Sequence, residues 1–176
     1  MTTFRPEIRP LVASTETIDA LAALLAATVA GGGSVGFMHP LSLADARAFW
    51  TQSLEATARG ERIVLGAYAG GALAGTATLI LSCPPNQPHR AEIAKMMTAG
   101  AHRGRGVAAA LLRRAEAEAG ARGKTLLTLD TAAEEGAAGL YGKLGYVRAG
   151  ELPGYALKPH GGLTATIVFW KKIPSK

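Results

Sequence analysis

The sequence predicts an α/β (α+β) fold, a mixed central sheet of about seven strands with four flanking helices. Three observations carry that prediction. Short runs with two-residue alternation recur along the chain between glycine, proline and polar breaks. Four other runs place apolar residues at helical spacing, and three of them follow a capping signal. A strand, a glycine loop, a helix and a second strand also follow one another between Arg90 and Asp130, a passage that favours parallel neighbours.

Taken in order, Glu7 to Val12 reads as a first short strand. Ser14 then caps a helix whose apolar positions are Ile18, Leu21, Leu25 and Val29. Gly31 to Gly36 stops it and opens a loop through Phe37, Met38, His39 and Pro40, which serves equally well as a flexible connector or as a flap over a ligand. Ser42 and Asp45 form a capping box for a second helix, with Ala46, Phe49, Trp50, Ser53 and Leu54 on its buried face. Arg62 to Tyr68 and Leu73 to Leu81 are strand-like, and Ala69-Gly70-Gly71-Ala72 between them predicts an antiparallel hairpin.

Arg90 to Thr98 is the fourth strand, with Glu92, Ala94 and Met96 expected on one face and Ile93, Lys95 and Met97 on the other. After the third helix, Thr125 to Asp130 is a buried-type strand that ends on a carboxylate. Thr131 and Glu134 match a capping box for a fourth helix, with Leu140 and Leu144 facing inward and Gly145 as its stop. Gly136, Gly139 and Gly142 weaken that helix and anticipate close approach of a backbone or ligand. Tyr146 to Glu151 and Leu163 to Trp170 finish the sheet, and Pro153-Gly154-Tyr155 is expected in the loop between them.

Length and composition set the bounds. With 176 residues, 48% of them hydrophobic, the chain is expected to form one domain, residues 1–176. A polar start and no apolar run long enough to span a bilayer predict a cytoplasmic protein without a membrane partner. Cys83 is the only cysteine, so no internal disulfide or cysteine-built metal site is expected. His39, His89, His102 and His160 lack metal-ligand spacing and read as loop residues, so no metal is predicted. Through Asn86 five arginines face six acids, a net of −1, so with +6 for the whole chain the remainder carries +7. The basic residues there are scattered and lack an aromatic platform, so the prediction is a small polyphosphate ligand and no nucleic acid.

The basic half holds Arg103-Gly104-Arg105-Gly106-Val107-Ala108, which runs straight into a helix with Val107, Leu111 and Ala115 on one face. Glycines at 104 and 106 leave room for a phosphate to touch backbone N–H groups, and the helix start adds unpaired donors and the positive end of a dipole. Arg103 and Arg105 add side-chain charge. The bare pattern would also suit a turn before a core helix.

The order of elements, together with Arg103 to Ala108, resembles the GNAT acyltransferase superfamily, whose acyl-CoA pyrophosphate signature is Arg/Gln-x-x-Gly-x-Gly/Ala. The stretches Gly32–Met38, Asn86–Lys95, Leu129–Thr131 and Gly150–Tyr155 sharpen it toward the tabtoxin-resistance type, which acetylates a small β-lactam toxin. Gly100 stands where the family usually has proline, and Asp130-Thr131 replaces an asparagine that many relatives carry. The resemblance implies a sheet splayed between the fourth and fifth strands, with acetyl-CoA as acyl donor lying in the gap. It further implies cofactor contacts at Met96, Met97 and Thr98 and at Arg103, Gly104, Arg105, Gly106, Val107 and Ala108, and relatives that often form a homodimer through their last strands.

Acetyl transfer to an amine needs a base for the ammonium and an acid for the departing thiolate. Glu92, on the strand beside the cleft, is the leading base, acting directly or through water; it would otherwise be an exposed strand carboxylate. Asp130 is a second catalytic and substrate-binding candidate, or a helix cap. Tyr141 matches the acid tyrosine of the resembling family, and a phenol near pKa 10 stays protonated against a thiol near about 8.5. Phe37 and Tyr155 are expected walls of the acceptor pocket. Three readings follow: an N-acetyltransferase of a small-molecule amine, with toxin- or antibiotic-like β-lactams and amino acid derivatives as candidates; a protein or peptide amine acetyltransferase; and a non-catalytic acyl-CoA-binding module.

Overall fold

The computed structural model describes residues 5–174, so the polar start at Met1–Phe4 lies outside the described residues. The elements are β1 (Glu7–Pro10), α1 (Thr15–Ala30), α2 (Leu43–Ala58), β2 (Arg62–Ala69), β3 (Ala72–Ile80), β4 (Arg90–Thr98), α3 (Val107–Gly120), β5 (Leu126–Ala132), α4 (Ala138–Lys143), β6 (Val147–Leu157) and β7 (Leu163–Lys172). They build one seven-stranded sheet in the order β1-β2-β3-β4-β5-β7-β6. Both expected helix caps at the front of the chain form: Ser14 Oγ accepts from Thr17 N at 3.1 Å, and Ser42 Oγ from Asp45 N at 3.0 Å.

Helices cover both faces of the sheet. Leu21 and Leu25 of α1 and Trp50 and Leu54 of α2 pack with Val64 and Met97 on one side. Leu111 and Leu112 of α3 and Tyr141 of α4 pack with Leu65, Ile93, Leu127 and Phe169 on the other. Gly75 sets how closely α3 can lie. A Cβ there would stand 2.7 Å from the Met97 carbonyl oxygen and 2.9 Å from a Val107 methyl, so only glycine lets the first turn of α3 settle against β3.

Every strand pairing is antiparallel except β4 with β5. That parallel pairing covers only Arg90–Glu92 against Leu126–Thr128. Beyond it β5 follows β7 through Ala132↔Thr166 while β4 stays with β3, so the two strands part. The sheet is therefore splayed between its fourth and fifth strands.

Four expectations need correction. The face assignment in β4 fails at a bulge: Thr76 faces Met97 and Thr78 faces Ala94, so Ala77 opposes both Lys95 and Met96. Lys95 takes φ 51°, the one positive value among the described non-glycine residues. Parity reverses there, sending Met96 toward the α3 side and Lys95, with Met97, toward α1 and α2. The capping box at Thr131 does not form either, because Thr131 and Ala132 stay paired to Ile167 and Thr166; a 3-10 turn at Ala133–Glu135 and a left-handed Gly136 then lead into a short α4. In α4, Tyr141 is the inward residue at 5% exposure, whereas Leu140 and Leu144 are only half-buried, and Gly139 and Gly142 face open space. Finally, Pro153-Gly154-Tyr155 belongs to β6, inside a register shift between Leu152 and Ala156 that an edge strand tolerates.

Candidate active site

A cavity of about 400 Å³ occupies the gap between β4 and β5. It threads the sheet from one helical layer to the other. On the α3 and α4 side it is lined by Ala108, Leu140 and Tyr141, and on the opposite side by Lys95 and the loop residues Ser34–Gly36. Asp130, Thr166 and Tyr155 line it as well.

The wall from β4 carries Met96 and Thr98, whose backbone on this side has lost its β5 partner. Met97, expected beside them, is buried at 3% in the α1 and α2 core and pairs with Thr76. Ala108 connects the cavity to the start of α3. There Gly104 and Gly106 take φ 71° and 81°, and the N-cap at Gly106 makes no side-chain hydrogen bond. The first-turn N–H groups of a helix have no partners within it. A Cβ at either glycine would meet nothing within 4 Å, so the loop leaves open space above those donors. Arg103 and Arg105 are exposed beside them, and Val107 anchors the turn in the core at 1% exposure. The geometry fits a pyrophosphate.

Asp130 is held from the next strand: Thr166 Oγ1, itself buried, donates to its Oδ2 at 2.7 Å. Tyr141 sits in an aromatic cluster, 5.4 Å from the Phe169 ring centroid and 6.0 Å from that of Tyr146. Burial pushes the neighbouring Tyr146 phenol far up, with the Glu116 carboxylate adding to it. Glu92 does not line the cavity. Its side chain is about 40% exposed with Oε2 3.4 Å from Arg90 Nη1, and that arginine also donates to Thr128 and Gln87. Phe37 lies behind the wall, edge-on to Phe49 at 5.1 Å.

Two residues that sequence reasoning passed over stand in the site. Lys95 is the more consequential, since its ammonium lies 5.9 Å and 5.8 Å from the ring centroids of Phe37 and Phe49. Burial pulls its pKa below the ordinary lysine value, opposed by the charges of Asp130 and Glu92 and reinforced by Arg62. Only the bulge brings it here, and no alternation pattern signals a bulge. Thr166 is the other, read simply as one position of an alternating strand. The loop at 31–40 is braced by His160 from the turn between β6 and β7: its Nε2 lies 2.9 Å from the Ala30 carbonyl oxygen and its ring 4.5 Å from that of the loop's own His39.

Among the described residues, no cluster of three histidine, cysteine, aspartate or glutamate side chains could hold a metal ion, and no helix is long and apolar enough to cross a membrane. Residues 35–146 match the model of the acetyltransferase (GNAT) family. Solved structures share the fold. A ribosomal-protein-alanine N-acetyltransferase from Brucella melitensis is 24% identical with a TM-score of 0.79, over 95% of this chain and 99% of that one. An N-acetyltransferase from Staphylococcus aureus Mu50 is 21% identical with a TM-score of 0.78, over 94% and 98%. A phosphinothricin acetyltransferase from Sinorhizobium meliloti, solved in complex with acetyl-CoA, is 20% identical with a TM-score of 0.79, over 96% and 89%.

Proposed function

The chain belongs to the GNAT acetyltransferase family, and from that premise we propose that it moves an acetyl group from acetyl-CoA to the amine of a small molecule. The observation that carries the proposal is a single cavity that joins the open start of α3, Tyr141 and Asp130 through the split between β4 and β5. Bound acetyl-CoA supplies the activated acetyl thioester. Gly104, Gly106 and the first turn of α3 receive its pyrophosphate, with Arg103 and Arg105 adding charge. The unpaired edge of β4 at Met96–Thr98 aligns the arm and offers a backbone dipole to the acyl oxygen.

Asp130, fixed by Thr166, takes the acceptor's ammonium and its proton; Glu92 receives that proton through water when Asp130 only orients. Tyr141, at the far end of the cavity, protonates the departing sulfur. The loop Ser34–Gly36 walls the acceptor side, which supports a small acceptor over a protein tail. Within the family the tabtoxin-resistance type is the finer reading, acting on a β-lactam or amino acid derivative, and phosphinothricin acetyltransferases among the structural relatives favour the same size class. The whole chain acts as one cytoplasmic catalytic domain.

Calorimetry with acetyl-CoA, followed by thiol release against amino acids, amine antibiotics, tabtoxin-like β-lactams and peptide N-termini, tests the proposal. Micromolar binding with turnover of a small amine supports it. Turnover restricted to peptides shifts the acceptor class, and absence of acetyl-CoA binding refutes the whole.

A further inference from the structure

Lys95 is placed at a cost. A non-glycine residue held at positive φ is strained by about 1–3 kcal/mol, and such residues concentrate at functional sites. Its ammonium is drawn into the cavity wall and partly out of water. Gly36 passes so close that a Cβ there would lie 3.3 Å from Nζ. Among the described residues no carboxylate comes within 4 Å of that nitrogen, although Asp130 lines the same cavity and acts on it through space. Its near neighbours are instead the rings of Phe37 and Phe49. A half-buried cation without a carboxylate at contact distance calls for an anion from outside the chain.

The other charges that reach Lys95 are Arg62 and Glu92. Glu92 is already engaged by Arg90, and neither it nor Arg62 lines the cavity. Lys95 also lies on the α1 and α2 side of the sheet, away from the start of α3 where the donor's phosphates would bind. The acceptor end of the cavity thus presents one cation and one anion. That is the complement of a zwitterion.

We infer that the acceptor is an amine that also carries a carboxylate, bound with its ammonium at Asp130 and its carboxylate at the Lys95 ammonium. The inference rests on the proposed acetyl transfer and adds the acceptor's second charge. Lys95 is a specificity-determining residue here and takes no proton from the amine.

The test compares a panel of L-amino acids with their own methyl esters as acceptors, in the parent and in Lys95→Gln. An ester amine is intrinsically more reactive than that of its acid, but this cancels when the acid-to-ester ratio of kcat/KM is compared between the two proteins. Removing a charge-assisted contact should lower that ratio by about 10- to 100-fold, chiefly through a higher KM for the acid. Lys95→Arg, which keeps the charge, should recover most of the ratio. Should Lys95→Gln fold poorly, Lys95→Asn serves, because asparagine tolerates positive φ.

A ratio within threefold of the parent overturns the inference. So does an equal fall in kcat on acid and ester alike, which would make Lys95 a base. Acetyl-CoA binding with turnover only of amines that lack a carboxylate overturns the inference and leaves the acetyltransferase reading standing. Absence of acetyl-CoA binding overturns both.

Discussion

Replacing Tyr141 with phenylalanine removes one oxygen atom and keeps the ring, which separates proton donation from packing. The ring is 5% exposed and packed against Phe169 and Tyr146, so its apolar contacts survive the change. The structural loss is one hydrogen-bonding hydroxyl, about 1 kcal/mol, or a fall in Tm of about 2–4 °C in a chain of this size. The catalytic loss is larger if the hydroxyl protonates the thiolate: general acid catalysis contributes about 10²–10⁴-fold, which is about 2.7–5.5 kcal/mol of barrier. The two magnitudes differ enough to be told apart. Single-turnover acetyl transfer should fall by at least 10²-fold while acetyl-CoA affinity holds within a few-fold. The assay must be limited by chemistry, because slow product release would mask the defect. Transfer within twofold of the parent, with an unchanged circular dichroism spectrum, refutes the acid assignment.

Gly106→Glu should weaken acetyl-CoA binding at least tenfold in calorimetry, because it sets a carboxylate among the phosphates; Gly106→Asn, which tolerates the 81° φ, should bind within a few-fold of the parent. Asp130→Asn should lower kcat/KM by about 10²-fold or more with acetyl-CoA affinity intact, and pH profiles of Asp130→Asn and Glu92→Gln identify the base, since losing it abolishes the acidic limb of kcat/KM. Burial lowers the Lys95 pKa, so between that depressed value and the ordinary lysine value of 10.5 the unfolded chain binds more protons than the folded one, and stability rises with pH. The cost of its charge is fully present below that window. Lys95→Met should therefore resist urea better than the parent at pH 7, with the difference shrinking toward pH 10; a difference that grows with pH contradicts the sign.

The parts of the candidate site that depend on local sequence are legible in the sequence itself. Arg103–Ala108 declares its turn through glycine spacing, and both glycines do take positive φ ahead of α3. The limits of β4 are just as clear, because Pro88 and the Gly100 turn bracket it. What stayed hidden was decided by pairing between strands distant in sequence. Ala91 to Met97 reads as clean alternation, and the extra residue appears only where Ala77 of β3 faces two partners. Thr131 and Glu134 satisfy a capping pattern, but two further rungs to β7 hold Thr131 and Ala132 extended and the cap loses. Helical periodicity placed Leu140 on the core seam; in a helix of six residues the aromatic cluster around Phe169 decides instead, and Tyr141 turns inward.

That inward turn bears on the chemistry as well as the packing. A proton donor for a thiolate works best where water is excluded and its own direction is fixed, because the hydrogen bond is then stronger and needs no reorganisation. Tyr141, the proposed donor, belongs to the core and to the cavity wall at once, which is the placement such a donor needs. Across the sheet the bulge sets Lys95 in the opposite wall, since one added residue carries its ammonium from the α3 side to the α1 and α2 side. Regular alternation would have put Lys95 on the α3 and α4 side and Met96 on the α1 and α2 side. The cavity's two ends thus differ in chemistry because β4 breaks its own period, and the strain at one residue is borne by two packed cores on either side of the strand.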